Sequence, residues 1–224
     1  MRNFVIIPAG GAGVRSGFSK PKQYIKVNGV ELIVYTLLNF QKCAKVDEIV
    51  IAASEQYFKL LSKLIIKYKL SKVSAVIEGG NERQDSVFNA LSSLKAGPND
   101  LIIVHDAARP LIPNSVLEDA ICLAEAKGNA VVALKAKDTL VKGAQSIDSY
   151  INRDEIYLIQ TPQIFKFSVL KKAMLSAKED NFYGTDESML VKRSGKKVYL
   201  SEGSSLNFKV TTKEDFELFK KLLH

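Results

Sequence analysis

Short apolar runs alternate along this chain with stretches whose apolar residues return every three or four positions. Residues 4–7, 48–53 (EIVIAA), 73–77, 101–104 and 130–134 are β-branched or aliphatic runs of strand length. Between them, residues 30–40, 56–68, 84–94 and 115–126 carry helical spacing, with Leu60, Leu61, Leu64 and Ile65 on one face of the second. Continuous apolar strands joined by helices predict a mostly parallel sheet covered on both faces. Ligands of such sheets bind beyond the carboxyl ends of the strands, so the loops at 8–23, 78–86 and 105–110 matter most.

Beyond residue 134 the pattern changes. Residues 135–152 are polar, contain Asp138, Lys142, Gly143, Gln145, Asp148 and Ser149, and have no helical face. They read as a loop or a projecting β-hairpin arm. Residues 156–159 and 197–200 then read as strands and 168–177 as a helix. Residues 185–192 read as a short helix starting near Thr185 or Asp186, and 213–223 as a last helix capped by Thr211 or Thr212. Residues 206–210 are strand-like, with Lys209 in their midst. No repeat or linker breaks the 224 residues, which suit a single domain, 1–224, with the arm at about 135–155. The expected fold is α/β: a Rossmann-like three-layer sandwich with a mostly parallel central sheet and a projecting β-arm.

The formal net charge of +8 raises nucleic-acid binding as an alternative of a different class. The lysines are dispersed among Asp and Glu, and Phe40, Phe58 and Phe165 lie in apolar periodic stretches rather than among basic residues. A lysine-rich solvated surface is the better reading, and neither nucleic acid nor membrane is expected as a partner. Cys43 and Cys122 form no metal-binding pair and read as buried free thiols; with only His105 and His224, a His-rich metal site is excluded. No signal-peptide core or membrane-length apolar run is evident, and a reduced cytoplasm is the expected location.

The first loop reads Pro8-Ala9-Gly10-Gly11-Ala12-Gly13-Val14-Arg15-Ser16. Glycines there let consecutive N–H groups approach a ligand and form an anion-binding nest. It is not a dinucleotide fingerprint, because Ser16 stands where the third glycine belongs, and no G-K-[ST] triplet makes it a P-loop. Arg15 adds a guanidinium, and Lys20 and Lys22 flank Pro21 just downstream. The whole suits a triphosphate.

With the residues Pro21-Lys22-Gln23, the chain resembles the cytidylyltransferase branch of the sugar-phosphate nucleotidyltransferases. Further stretches agree in order: Gly79-Gly80-Asn81-Glu82-Arg83-Gln84-Asp85-Ser86-Val87, Val104-His105-Asp106-Ala107-Ala108-Arg109-Pro110, Arg153 with Gln160-Thr161-Pro162-Gln163, Thr185-Asp186-Glu187, and Asn207-Phe208-Lys209-Val210-Thr211. The nearest likeness is to the family that couples CTP to 2-C-methyl-D-erythritol 4-phosphate in non-mevalonate isoprenoid synthesis. A ribitol-5-phosphate cytidylyltransferase is the alternative; such relatives tend to carry Ser-Val in place of Ala107-Ala108. Asn81 departs from a common Asp, Gly10 from a common Ala and Phe208 from an aliphatic residue.

The resemblance implies roles. Ala9, Gly10, Gly11, Gly80, Asn81 and Ser86 would contact the cytidine and its phosphates. Arg15 and Lys22 would neutralise phosphate charge, and Asp106 would hold Mg²⁺ or another divalent cation. Thr139, Arg153, Thr185 and Lys209 would grip the polyol phosphate, Arg153 and Lys209 positioning it for attack. The arm would embrace a second subunit of a homodimer and deliver Thr139 and Arg153 to the partner's site. Taken singly, these residues have plainer readings: Asp106 as a helix cap, Arg153 as a solvated charge, Thr185-Asp186 as a helix start, Ser86 as a hydroxyl in a helical turn. Because a phosphate monoester is already ionised at neutral pH, the reaction needs no general base, and His105 reads as structural.

Overall fold

A computed structural model describes residues 1–11 and 20–223. Its elements alternate as the hydrophobic pattern predicts: β1 (Asn3–Pro8), the two-residue strands β2 (Lys26–Val27) and β3 (Val30–Glu31), α1 (Leu32–Lys42), β4 (Glu48–Ala53), α2 (Phe58–Lys67), β5 (Val73–Glu78), α3 (Arg83–Ser93), β6 (Leu101–Val104), α4 (Asn114–Lys127) and β7 (Asn129–Lys135). The second half adds β8 (Leu140–Gly143), β9 (Ile147–Ile151), β10 (Tyr157–Lys166), α5 (Phe167–Glu179), α6 (Glu187–Arg193), β11 (Leu200–Glu202) and α7 (Lys213–Leu222).

The seven-stranded central sheet runs β11-β7-β10-β6-β1-β4-β5. Its pairs are parallel except that β10 runs antiparallel to both β6 and β7. Successive residues of a strand face opposite ways, and the core divides accordingly. Val5, Ile7, Ile49, Ile51 and Ile103 join α1, α2 and α4 on one face. Phe4, Ile6, Val50, Ile102 and Val104 join α3, α5 and α6 on the other. A third cluster, Val27, Leu32, Ala108, Val210, Phe216 and Phe219, fastens α7 beside the loop that follows β6.

The chain leaves β1 toward β4 and β5, then crosses back through α3 to place β6 on β1's other side. The strand order therefore reverses between β1 and β6, and beyond the carboxyl ends of two such strands lies the crevice where ligands of these sheets usually bind.

Four details differ from the sequence reading. The strand expected at 156–159 extends to Lys166, because a register shift between Ile159 and Gln163 accommodates Pro162, which cannot donate to a ladder. The strand expected at 197–200 begins instead at Leu200. Ahead of it the Asn129 side chain replaces the ladder, donating to the Lys197 carbonyl and accepting from Tyr199 N–H. The strand-like run at 206–210 is a 3-10 turn, Ser205–Asn207, followed by extended chain, so Lys209 sits in a loop. Cys43 is buried as expected, but Cys122 is exposed, lying on the outer side of α4.

The polar segment is a hairpin, β8 against β9, paired outside the main sheet. Its tip and flanks expose Val141, Ile147, Tyr150 and Ile151, with Tyr157, Leu158 and Ile159 exposed at its base. No helix among the described residues is long and apolar enough to cross a membrane.

Phe40 is fully buried between α1 and the sheet, with its ring 4.9 Å from that of His105. Replacing it by Ala should lower stability by about 3–5 kcal/mol, read as an earlier urea midpoint.

Candidate active site

Two glycine loops meet at the crevice. Ala9 N–H donates to the Ala52 carbonyl, so the chain stays on the sheet for one residue past β1. Gln23, in the 3-10 turn Lys22–Tyr24, donates through Nε2 to the carbonyls of Ala9 (2.7 Å) and Gly11 (3.0 Å), while the Tyr24 hydroxyl also donates to Ala9 (3.1 Å). The backbone at Ala9 and Gly11 is thus held by side chains of the turn that follows. After β5, Gly80 N–H donates to Ser86 Oγ (3.0 Å), whose own proton goes to the Glu82 carbonyl (3.2 Å). Glu82 and Asp85 close a capping box at the start of α3. A Cβ at Gly80 would fall 2.2 Å from Asp85 Cβ, leaving no room for a side chain, and one at Gly10 would come within 3.4 Å of Ser86 Oγ.

Beneath them lies a buried carboxylate. Asp106, two residues past β6, is 8% exposed. Arg83 Nε donates to its Oδ1 at 3.0 Å, Lys209 Nζ lies 2.8 Å from Oδ2, and Arg109 Nε is 3.7 Å from Oδ2. Arg83 also reaches Glu187 Oε1 through Nη1 at 2.6 Å. Three cations against two carboxylates leave the cluster one unit positive. Burial alone would raise the Asp106 pKa, but Arg83, Lys209 and Arg109 more than offset it and hold the carboxyl well below its ordinary range. Burial likewise opposes charge on Arg83, and Glu187 and Asp106 outweigh it, raising its pKa.

A chain of hydrogen bonds fixes this loop from below. The Arg109 carbonyl can only accept, so His105 Nε2 carries the proton and donates to it (3.0 Å). His105 Nδ1 then accepts from the Thr161 hydroxyl (3.2 Å), whose oxygen accepts from Asp106 N–H (3.1 Å). Asn207 donates through Nδ2 to the Thr161 carbonyl (2.7 Å) and to Gln160 Oε1 (3.1 Å), and its backbone carbonyl accepts from Arg109 Nη1 (2.6 Å). His105 is fully buried beneath the crevice, which suits the structural role read for it.

The residues singled out in the sequence do not all converge. Gly10 lies against Ser86, next to Ala9 and Gly11, and Gly80 bonds the same hydroxyl; Lys209 pairs with Asp106, Asn81 is exposed on the second loop, and Ser86 makes the helical-turn bonds described above. Half-buried Lys22 joins the C-terminal segment, with Nζ 3.4 Å from Thr211 Oγ1, which in turn donates to the Lys209 carbonyl (3.1 Å). Thr139 and Arg153 are exposed on the arm, and Arg153 Nη1 donates to the Lys137 carbonyl at 2.5 Å rather than joining the Asp106 cluster. Thr185 is exposed just before α6, whose cap is Asp186, accepting from Met189 N–H. Arg15 lies outside the described residues.

Sequence reasoning assigned no role to Arg83, Arg109, Glu187, Thr161 or Asn207, although each lay within a quoted motif. The available signal was a charged or amide residue adjoining an apolar run, where burial demands a partner.

For a divalent ion the donor set is sparse. Among the described residues no three His, Cys, Asp or Glu side chains gather as a metal site. Asp106 suits an ion bringing phosphate and water oxygens as most of its ligands.

The model of the family described as IspD, 2-C-methyl-D-erythritol 4-phosphate cytidylyltransferase, matches residues 3–224. The chain belongs to this family. Its relative from Clostridium acetobutylicum is 37% identical, covering 99% of this chain and 97% of that one; the relative from Bacillus mycoides is 40% identical, covering 98% and 97%. Both carry the name 2-C-methyl-D-erythritol 4-phosphate cytidylyltransferase. The crystal structure of 4-diphosphocytidyl-2C-methyl-D-erythritol synthase from Anaerococcus prevotii superposes with a TM-score of 0.86 at 26% identity, covering 99% of this chain and 96% of that one. The family is therefore the expected one rather than the ribitol-5-phosphate alternative, and its members are nucleotidyltransferases.

Burial holds the His105 pKa down at about 4, below its ordinary 6.5. Between those values the unfolded chain binds a proton that the folded chain refuses, so stability falls as pH drops through this window. The loss attributable to His105 should reach about 3 kcal/mol by pH 4. Urea titrations from pH 7 to 4 should show that slope, and a His105→Gln variant should lack it.

Proposed function

We propose that the crevice transfers CMP from CTP to 2-C-methyl-D-erythritol 4-phosphate, releasing pyrophosphate and giving 4-diphosphocytidyl-2-C-methyl-D-erythritol for isoprenoid synthesis. The observation that carries this reading is the positive cluster on Asp106, set between two glycine loops at the sheet's switch point. Family membership supplies the substrates.

In the proposed reaction the acceptor's phosphate oxygen attacks the α-phosphorus in line, and the bond to the pyrophosphate oxygen breaks. Two polyanions must approach each other, so fixed positive charge is the chief requirement. Backbone around Ala9, Gly10, Gly11, Gly80 and Asn81, with Ser86 beneath, would seat the nucleotide. Lys22 and Arg15 would face the transferring phosphate. Lys209 and Thr185 would meet the acceptor phosphate, together with Thr139 and Arg153 from a second copy. Asp106, kept ionised by its cations, would hold a divalent ion, Mg²⁺ by its oxygen preference, whose charge offsets phosphate repulsion. Pairing of two copies is supported by the apolar residues the arm exposes.

Lys22→Ala should lower kcat by about 100-fold or more without moving the unfolding midpoint, read by pyrophosphate release with a panel of polyol phosphates. Arg153→Ala should raise KM for the polyol phosphate more than for CTP. At polyol phosphate concentrations well below KM, each variant alone should be nearly inactive. Mixed and re-equilibrated, the two should regain about a quarter of the parent activity, since half the dimers would then hold one intact site. No recovery on mixing would place Arg153 in its own subunit's site.

A further inference from the structure

Glu187 opens α6 with its side chain 1% exposed. Its Oε1 meets Arg83 Nη1 at 2.6 Å, and its Oε2 has no hydrogen-bond partner among the described residues. Gln163, wholly buried, accepts from Ser188 N–H at 2.8 Å and so pins the helix start that carries Glu187. Arg83 is therefore strung between two carboxylates, Nε on Asp106 and Nη1 on Glu187. A buried ion pair is a poor way merely to fasten α6 to α3, because well-packed apolar side chains commonly do as well or better. What the carboxylate adds is direction. A guanidinium is a planar fork that readily grips both oxygens of one carboxylate. Tethered by Glu187, it engages Asp106 at Oδ1, and Oδ2 stays with Lys209 and Arg109.

We propose that Glu187 is a positioning residue for the transfer reaction: by anchoring Arg83 from behind, it keeps Arg83 from closing over Asp106 and so preserves the placement of Lys209 on the other carboxylate oxygen. The proposal rests on the crevice being the reaction site.

A double-mutant cycle tests it. Glu187→Gln keeps the shape and removes the anchoring charge. It should lower kcat about tenfold while changing KM for CTP less than about threefold. In an Arg83→Met background the same change should cost less than about twofold, because the residue it acts through is gone. Thermal unfolding of all four proteins ensures that equal folded fractions are compared. Arg83→Lys, which keeps the charge but cannot span both carboxylates, should lose kcat as Glu187→Gln does, and it stands as the test if Glu187→Gln does not fold. Losses that multiply independently, or Glu187→Gln or Arg83→Lys within about twofold of the parent, would overturn the positioning role. The parent's own pyrophosphate release reports separately on the reaction: an active parent with an additive cycle refutes the positioning alone, and an inactive parent refutes the reaction.

Discussion

A carboxylate taken out of water must be matched by charge or it protonates, and Asp106 is matched from three parts of the chain. Arg83 begins the helix after β5, Arg109 closes the loop after β6, and Lys209 comes from the C-terminal segment. Each is held in turn: Arg83 by Glu187, Arg109 by the Asn207 carbonyl, and Lys209's segment by Lys22 through Thr211. The charge balance of one aspartate thereby fixes where the loops and the C-terminal segment stand relative to one another. Loss of any one partner would leave a buried charge undercompensated, a far larger cost than loss of a solvated pair.

Beneath that charge the polar groups are interlocked by hydrogen bonds. His105 and Thr161 relay hydrogen bonds between the backbones of Asp106 and Arg109, and Asn207 bonds the Thr161 carbonyl. The hydrophobic faces of the sheet pack against helices on either side, leaving the strand ends at β1 and β6 to open on the crevice. A preorganised positive site of this kind does not have to reorganise when charge shifts between phosphates, which is where electrostatic catalysis gains most. The charge excess that suits anionic substrates also concentrates mutual repulsion among Arg83, Arg109 and Lys209. The two carboxylates moderate that repulsion.

The arm obeys different physics. Its strands pair only with each other, and it carries exposed Val141, Ile147, Tyr150 and Ile151 on a polar framework. A two-stranded ribbon of this size gains little stability alone, and its exposed apolar residues are the surface that the proposed pairing of two copies would cover. Thr139 and Arg153 lie on or beside this arm and are not bonded to the Asp106 cluster; only the proposed pairing would give them a site to serve.

Much of the fold was legible because its cause is local. The period of apolar residues placed β4 and β6 to the residue, the threonine pair 211–212 marked the start of α7, where Thr212 proves to be the cap, and glycines marked the loops where chain crowds chain, as at Gly80. Motif order likewise placed the family. What the chain alone left open depends on partners distant in sequence. Whether Asp106 was a cap or a charge hub turned on Arg83 and Lys209, which lie 23 and 103 positions away. The reversal of β10 and its passage through Pro162, the replacement of a ladder by Asn129, and the exposure of Cys122 were settled by neighbours across the sheet or by helix orientation. Periodicity records which residues avoid water; only the folded chain decides which charges they enclose together.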